Sequence, residues 1–232
     1  MNNFKFIFDY KNIDRYRLSF NKLADQVFGI GFEKWYQYGF WDDTYVCYSY
    51  VDQDEVVANV SASKLEMIID GETMKALQIG TVMTHPDYRG RGLSRSLMEM
   101  VLKKYEPEYD FIYLFANNRV LNFYPKFGFT SAGQCRYSIN ITDSDIIKKK
   151  EHAAVKKLDI RDERDRKLLR EISQRRRPVS QRLGVKNGES ILLWHCLNVY
   201  QENLFYLPED EAIVIYKIEA GTLHLYDIVS AN

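Results

Sequence analysis

Only three cysteines occur in 232 residues, Cys47, Cys135 and Cys196. They are far apart, odd in number and form no C-x-x-C pair, which argues against a disulfide framework and against a zinc site. A reducing cytoplasm is the compartment expected. No apolar run approaches the length of a membrane span, and the opening MNNFKFIFDYKNID has neither an unbroken apolar core after a basic segment nor a small-residue cleavage site. An excess of one charge is missing too. The 32 basic residues face 32 acidic ones, so no global field points to nucleic acid or to an anionic membrane as a partner. The two common phosphate fingerprints are also absent, since the chain holds no G-x-x-x-x-G-K-[ST] string and no G-x-G-x-x-G.

Apolar material is plentiful: 46% hydrophobic and 14% aromatic residues suffice for a packed core and exclude disorder as the dominant state. Local charge is uneven. Lys148 to Arg182 carries 14 basic against 6 acidic residues, read here as a solvated linker and helix face. Arg175, Arg176 and Arg177 are the candidates if a polyanion binds.

The most informative stretch is Val82 to Leu102, VMTHPDYRGRGLSRSLMEMVL. An apolar strand passes through a turn at Pro86 and Asp87 into a loop with Gly90 and Gly92. It then enters a helix with an apolar stripe of Leu93, Leu97, Val101 and Leu102. The first turn of a helix leaves backbone N–H groups without intrahelical partners, and the helix dipole adds positive charge there. Glycines let a pyrophosphate approach those amides, and Arg89 and Arg91 can add charge-assisted hydrogen bonds.

With these residues in view the chain resembles the GNAT superfamily of N-acetyltransferases. That family's pyrophosphate loop reads Arg or Gln, two variable residues, Gly, one variable residue, then Gly or Ala. Arg89, Gly92 and Ser94 take those places, with Ser94 a departure that implies slightly altered packing. A second anchor is ANNRVLNFYPKFGF, similar to the family's later motif of an Asn, a helix carrying a Tyr, and a Gly-Phe turn. Asn117, Tyr124, Gly128 and Phe129 match it. The resemblance implies a mixed-sheet α/β fold of the acyl-CoA N-acyltransferase type and acetyl-CoA as cosubstrate.

Periodicity supplies the elements around these motifs. Asp14 to Phe28 reads as an amphipathic helix and Phe32 to Tyr38 as a second, short one. Tyr45–Tyr50, Val56–Ala62 and Met74–Met83 read as a meander of strands, Phe111–Phe115 as another strand and Gln134–Ile141 as the last. Past Thr142 a second pattern begins. Leu168, Leu169 and Ile172 mark a helix and Ile191–Tyr200 another, followed by strands at Leu204–Leu207, Ala212–Ile218 and Leu223–Val229. This echo of the first half predicts an acetyltransferase domain over 1–142, a charged linker over 143–162 and a partial second unit of the same type over 163–232. Either the chain is a fragment ending before a second phosphate loop, or the second unit is degenerate and serves packing.

The resemblance places the pantetheine arm of acetyl-CoA beside Val82, Met83 and Thr84, and the pyrophosphate on Arg89, Gly90, Arg91, Gly92, Leu93 and Ser94. It gives Asn117 a hydrogen bond to that arm or a capping role, and makes Tyr124 the acid that protonates the departing thiolate. A phenol of ordinary pKa near ~10 matches that task. The base is less clear. The place where some relatives keep a glutamate falls near Gln78, which cannot take a proton; Glu66 is the candidate from nearby sequence, with a water chain the alternative. His85 reads as structural. Trp35, Tyr36, Tyr38, Phe40 and Trp41 form an aromatic group suited to an acceptor pocket or simply to packing, and Asp42 and Asp43 beside it suit a cationic amine such as a polyamine or aminoglycoside. The expected activity is transfer of an acetyl group to a primary amine of a small molecule or peptide. The alternative is a non-catalytic acyl-CoA-binding module. A homodimer stays open, and neither nucleic acid nor membrane is an expected partner.

Overall fold

A computed structural model describes residues 4–135, 137–140 and 154–231. The chain opens with β1 (Lys5–Phe8), α1 (Asp14–Phe28) and α2 (Glu33–Gln37), then runs through β2 (Tyr45–Asp52), β3 (Glu55–Ile69) and β4 (Glu72–Thr84). After the glycine loop come α3 (Leu93–Tyr105) and β5 (Phe111–Leu114). The remainder holds β6 (Lys156–Lys157), α4 (Glu163–Gln174), β7 (Leu183–Lys186), α5 (Glu189–Asn198), β8 (Leu204–Leu207), β9 (Ala212–Glu219) and β10 (Thr222–Ser230).

The first sheet has the order β1-β2-β3-β4-β5, antiparallel except for the parallel β4–β5 pair that the α3 crossover permits. β3 outruns β2, which stops opposite Ser63, and β7 takes the vacated edge with Glu66–Ile69 paired to Lys186–Leu183. A strand from the second half thus completes the first sheet. The second sheet, β10-β9-β8-β6, is antiparallel throughout.

Each sheet face carries its own core. On one face α3 buries Leu97, Met98 and Val101 against Val46, Val60 and Leu77. On the other, α1 and α2 pack Phe20, Trp35 and Trp41 together with Leu169, Leu193, Cys196 and Ile213 of the second half. That core is continuous across the chain: Trp35 Nε1 donates to Ser190 O at 2.9 Å, Ser190 Oγ donates to Phe40 O at 2.8 Å, and the Phe32 and Trp194 rings lie 5.4 Å apart.

Three expectations change. Of the last strand expected over Gln134–Ile141, residues 134, 135 and 137–140 are described and none is in a strand; Arg136 and Ile141 lie outside the described residues. Tyr137 and Ile139 are 92% and 84% exposed, so the alternation there has no face to bury. The expected helix carrying Tyr124 is two short 3-10 turns, Asn118–Val120 and Tyr124–Phe127, because Pro125 lacks the N–H that an α-helical ladder needs. Within the expected linker over 143–162, Lys156–Lys157 pair with β8 while Leu158 and Ile160 are buried in the shared core. Their two apolar side chains supply the physical reason.

Candidate active site

β4 and β5 pair only from Ala76↔Phe111 to Ile79↔Leu114. Beyond that point β4 continues to Thr84 without its neighbour, and a cavity of about 750 Å³ opens between the parted strands. Ile79 to Thr84 form one wall, Phe115, Asn117 and Tyr124 the other, and Val27, Phe28 and Ile30 at the end of α1 close a side.

A bulge shapes that wall. The β3–β4 register jumps from Ser61↔Gly80 to Asn59↔Met83, so Thr81 and Val82 stand against one residue of β3. Thr81 has φ of +46°, a conformation unfavourable for a β-branched residue. Two buried side chains hold it there. Asn59, with no exposure, donates from Nδ2 to Thr81 O and to Ser61 Oγ, both at 2.9 Å, and accepts at Oδ1 from Ser49 Oγ at 2.9 Å. The Tyr45 hydroxyl meets Thr81 Oγ1 at 2.6 Å. This network was not among the sequence expectations, although Asn59, Ser61 and Ser63 alternate as small polar residues with the apolar Val60 and Ala62 of β3.

At the far end of β4 the glycine loop enters α3. Gly90 and Gly92 have φ of +75° and +77°, in the region where a side chain is strained. Gly92 is the N-cap and offers no side chain to the first-turn N–H groups, which remain free for an anion. Arg89 lines the cavity and reaches back to Thr84 O through Nε at 3.4 Å. Ser94 also lines it, with its hydroxyl bonded to Thr84 Oγ1, so the serine at the family's Gly or Ala place ties α3 to the end of β4. Arg119 is a further lining cation, and among the described lining residues there is no carboxylate. These residues fit a pyrophosphate followed by an extended, uncharged arm.

Val82, Met83, Thr84, Arg89, Ser94, Asn117 and Tyr124 therefore face one space. Met83 is also packed in the core shared with α1 and α2. Gly90, Arg91, Gly92 and Leu93 form the loop and first helical turn beside it. Arg91 is engaged within the loop, donating to Asp87 O at 3.0 Å and covering the Tyr88 ring. Leu93 turns into the α3 core. Asn117 Oδ1 caps the next turn by accepting from Arg119 N at 3.0 Å. Tyr124 is half-buried between Phe123 and Phe129, and burial raises its hydroxyl above the ordinary phenol range.

Glu66 is not in this group. It is exposed on β3 opposite Lys75 and Lys186, with its N–H bonded to Asn187 Oδ1. Lys75 precedes Ile79, the first cavity residue of β4, by four positions, about 13 Å along a strand. Its nearness was one of sequence only. The aromatic group fares likewise: Trp35, Phe40 and Trp41 are buried at 1%, 4% and 5% exposure, so they are core and not pocket lining. Asp43 is paired with Lys11, and Asp42 accepts from Thr44 N. His85 Nδ1 accepts from Asp87 N, bracing the turn before the loop.

The acetyltransferase (GNAT) domain family matches residues 14–132, about half the chain. The protein belongs to the GNAT acetyltransferase family. Among curated proteins none matches this GNAT chain in sequence. Its fold is shared with a solved structure from Enterococcus faecalis, described as a probable N-acyltransferase. The two are 17% identical at a TM-score of 0.60 over 99% of this chain and 58% of that one. A GCN5-related N-acetyltransferase from Kribbella flavida is 21% identical at a TM-score of 0.53, over 97% of this chain and 58% of that one. The GNAT chain thus spans a little over half the length of both, and its second half recurs in their fold. No described helix is long and apolar enough to cross a membrane.

Proposed function

We propose that the protein is an acetyl-CoA-dependent N-acetyltransferase acting on a primary amine of a small molecule or peptide. The observation that carries this reading is the convergence of Thr84, Arg89, Ser94, Asn117 and Tyr124 on one cavity at the parting of β4 and β5. The α3 N-terminus, Gly90 and Gly92 hold the pyrophosphate, with Arg89 adding a charge-assisted contact. Val82, Met83 and Thr84 offer backbone groups to the pantetheine arm, and Asn117 adds its free amide N–H. The thioester supplies an activated acetyl group. Backbone N–H at the Thr81–Val82 bulge stabilises charge developing on the carbonyl oxygen. Tyr124, kept protonated by burial, gives its proton to the sulfur as the C–S bond breaks, and water accepts the proton lost by the amine. What supports a partial second unit over 163–232 is the recurrence of helices followed by an antiparallel meander.

A non-catalytic acyl-CoA-binding module is favoured by one observation, the lack of a carboxylate among the described cavity residues. Calorimetry with acetyl-CoA, beside a thiol-release assay on an amine panel, separates the two readings. Tyr124→Phe is expected to bind acetyl-CoA like wild type while kcat falls by about 10²-fold or more. Binding without turnover in wild type would favour the module, and no binding would sink both.

A further inference from the structure

A second cavity, about 280 Å³, lies along the same strand pair where the second half of the chain packs on the first sheet. That is near the lower limit of small-molecule sites, roughly 300 Å³. Gln78 and Tyr113, partners in the β4–β5 ladder, form one wall. His195, Tyr200, Tyr226 and the Arg176–Asp227 pair form the other. Tyr113 lines this cavity and Phe115 the one beside the glycine loop; their ring centroids lie 5.9 Å apart, edge to face, and both rings with Tyr124 also line a third cavity of about 780 Å³.

Hydrogen-bonding capacity is left over in this cleft. Ile191 O can only accept, so the 2.9 Å contact with His195 Nδ1 puts a proton on Nδ1 and leaves Nε2 as the ring atom available for a further hydrogen bond. No described residue occupies Nε2. The Tyr113 hydroxyl, whose pKa burial pushes up to about 12, donates to Gln78 Oε1 at 3.0 Å, which leaves the Gln78 amide N–H groups free. Tyr200 and Tyr226 stack at 4.8 Å and offer a flat apolar face.

The charge is balanced. Asp227 is the one carboxylate among the described lining residues, and both its oxygens accept from Arg176 at 2.8 Å. The cavity beside the glycine loop has arginines and no carboxylate, and Asp42 and Asp43 are already engaged. Neither cavity compensates several positive charges, and burying them unpaired is costly; the carboxylates of the third cavity, Glu106 and Asp110, stand before the start of β5, nine and five residues from Phe115.

Resting on the acetyltransferase reading, we infer that the acceptor is a small monoamine with a flat apolar body, seated in the cleft between Gln78, Tyr113, His195 and Tyr226, and not a polyamine or aminoglycoside. The site joins residues of both halves, so the second half shapes acceptor choice. The probes are 2-phenylethylamine, spermidine and kanamycin, added to protein saturated with CoA for calorimetry and to the acetyl-CoA assay for turnover. The monoamine is expected to bind and to be acetylated with the highest kcat/KM. One lost hydrogen bond is worth up to about tenfold, so His195→Phe, which keeps a flat ring and removes both nitrogens, should raise the monoamine KM by roughly that factor and leave acetyl-CoA affinity unchanged. Tyr226→Ala, at a half-exposed position outside the core, should do the same. Preference for spermidine or kanamycin, no monoamine binding, or wild-type KM in both variants overturns this inference. Failure of acetyl-CoA to bind overturns the acetyltransferase reading instead.

Discussion

At the scale of single residues, the site depends on groups that never face the cavity. Asn59 uses its whole side chain on Thr81 O, Ser61, Ser49 and, more distantly, the Tyr10 hydroxyl at 3.4 Å. Asn59→Leu leaves these buried groups unpaired at a cost of about 1–3 kcal/mol. Thermal denaturation should read that loss. Acetyl-CoA affinity should fall too, while adenosine 3′,5′-bisphosphate, which reaches only the phosphate end, binds as to wild type. Tyr124 has a pH signature. Burial raises its pKa above the ordinary value, so the phenol stays protonated through neutral pH and its donation is lost only as pH climbs past that raised value. The alkaline limb of kcat should therefore lie above pH ~10, the unshifted phenol value, and be absent from Tyr124→Phe.

Among elements, the strand most easily overlooked closes the sheet. β7 is four residues long and contains Gly184, where an added Cβ would stand 2.6 Å from Pro178 Cβ and 2.8 Å from Ser180 O. Backbone lies on one side and a rigid ring on the other, so neither yields cheaply. Gly184→Ala should therefore cost on the order of 1–3 kcal/mol, as overpacking does, and loosen β7 from Glu66–Ile69. Hydrogen exchange at Val185 and Lys186 would report it, and unchanged protection would refute the argument. The longer elements were legible because each carries its own period. The sequence boundaries of α1 and β8 agree with the structure residue for residue, and the apolar stripe of α3 is the one it buries. β6 and β7 were not legible, because two to four residues hold too little pattern.

For the molecule as a whole, the shared core makes the two halves one cooperative body. Trp35 is 1% exposed and bridges them through Ser190 O, so Trp35→Ala should cost about 3–5 kcal/mol. Both halves should then melt earlier in a single transition, and two separate transitions in calorimetry would contradict a common core. The sequence alone determined the glycine loop before α3, the order of the main elements and the motif residues Arg89, Ser94, Asn117 and Tyr124 that the fold brings to one cavity, because each signal lies within a few positions of chain. Tertiary structure decided the rest: that Glu66 is remote from the cavity, that Trp35 and Trp41 are core, and that His195 lies across from Gln78. Those facts depend on which distant segments pack together, and such contacts follow from the summed burial of both halves, which no local period encodes.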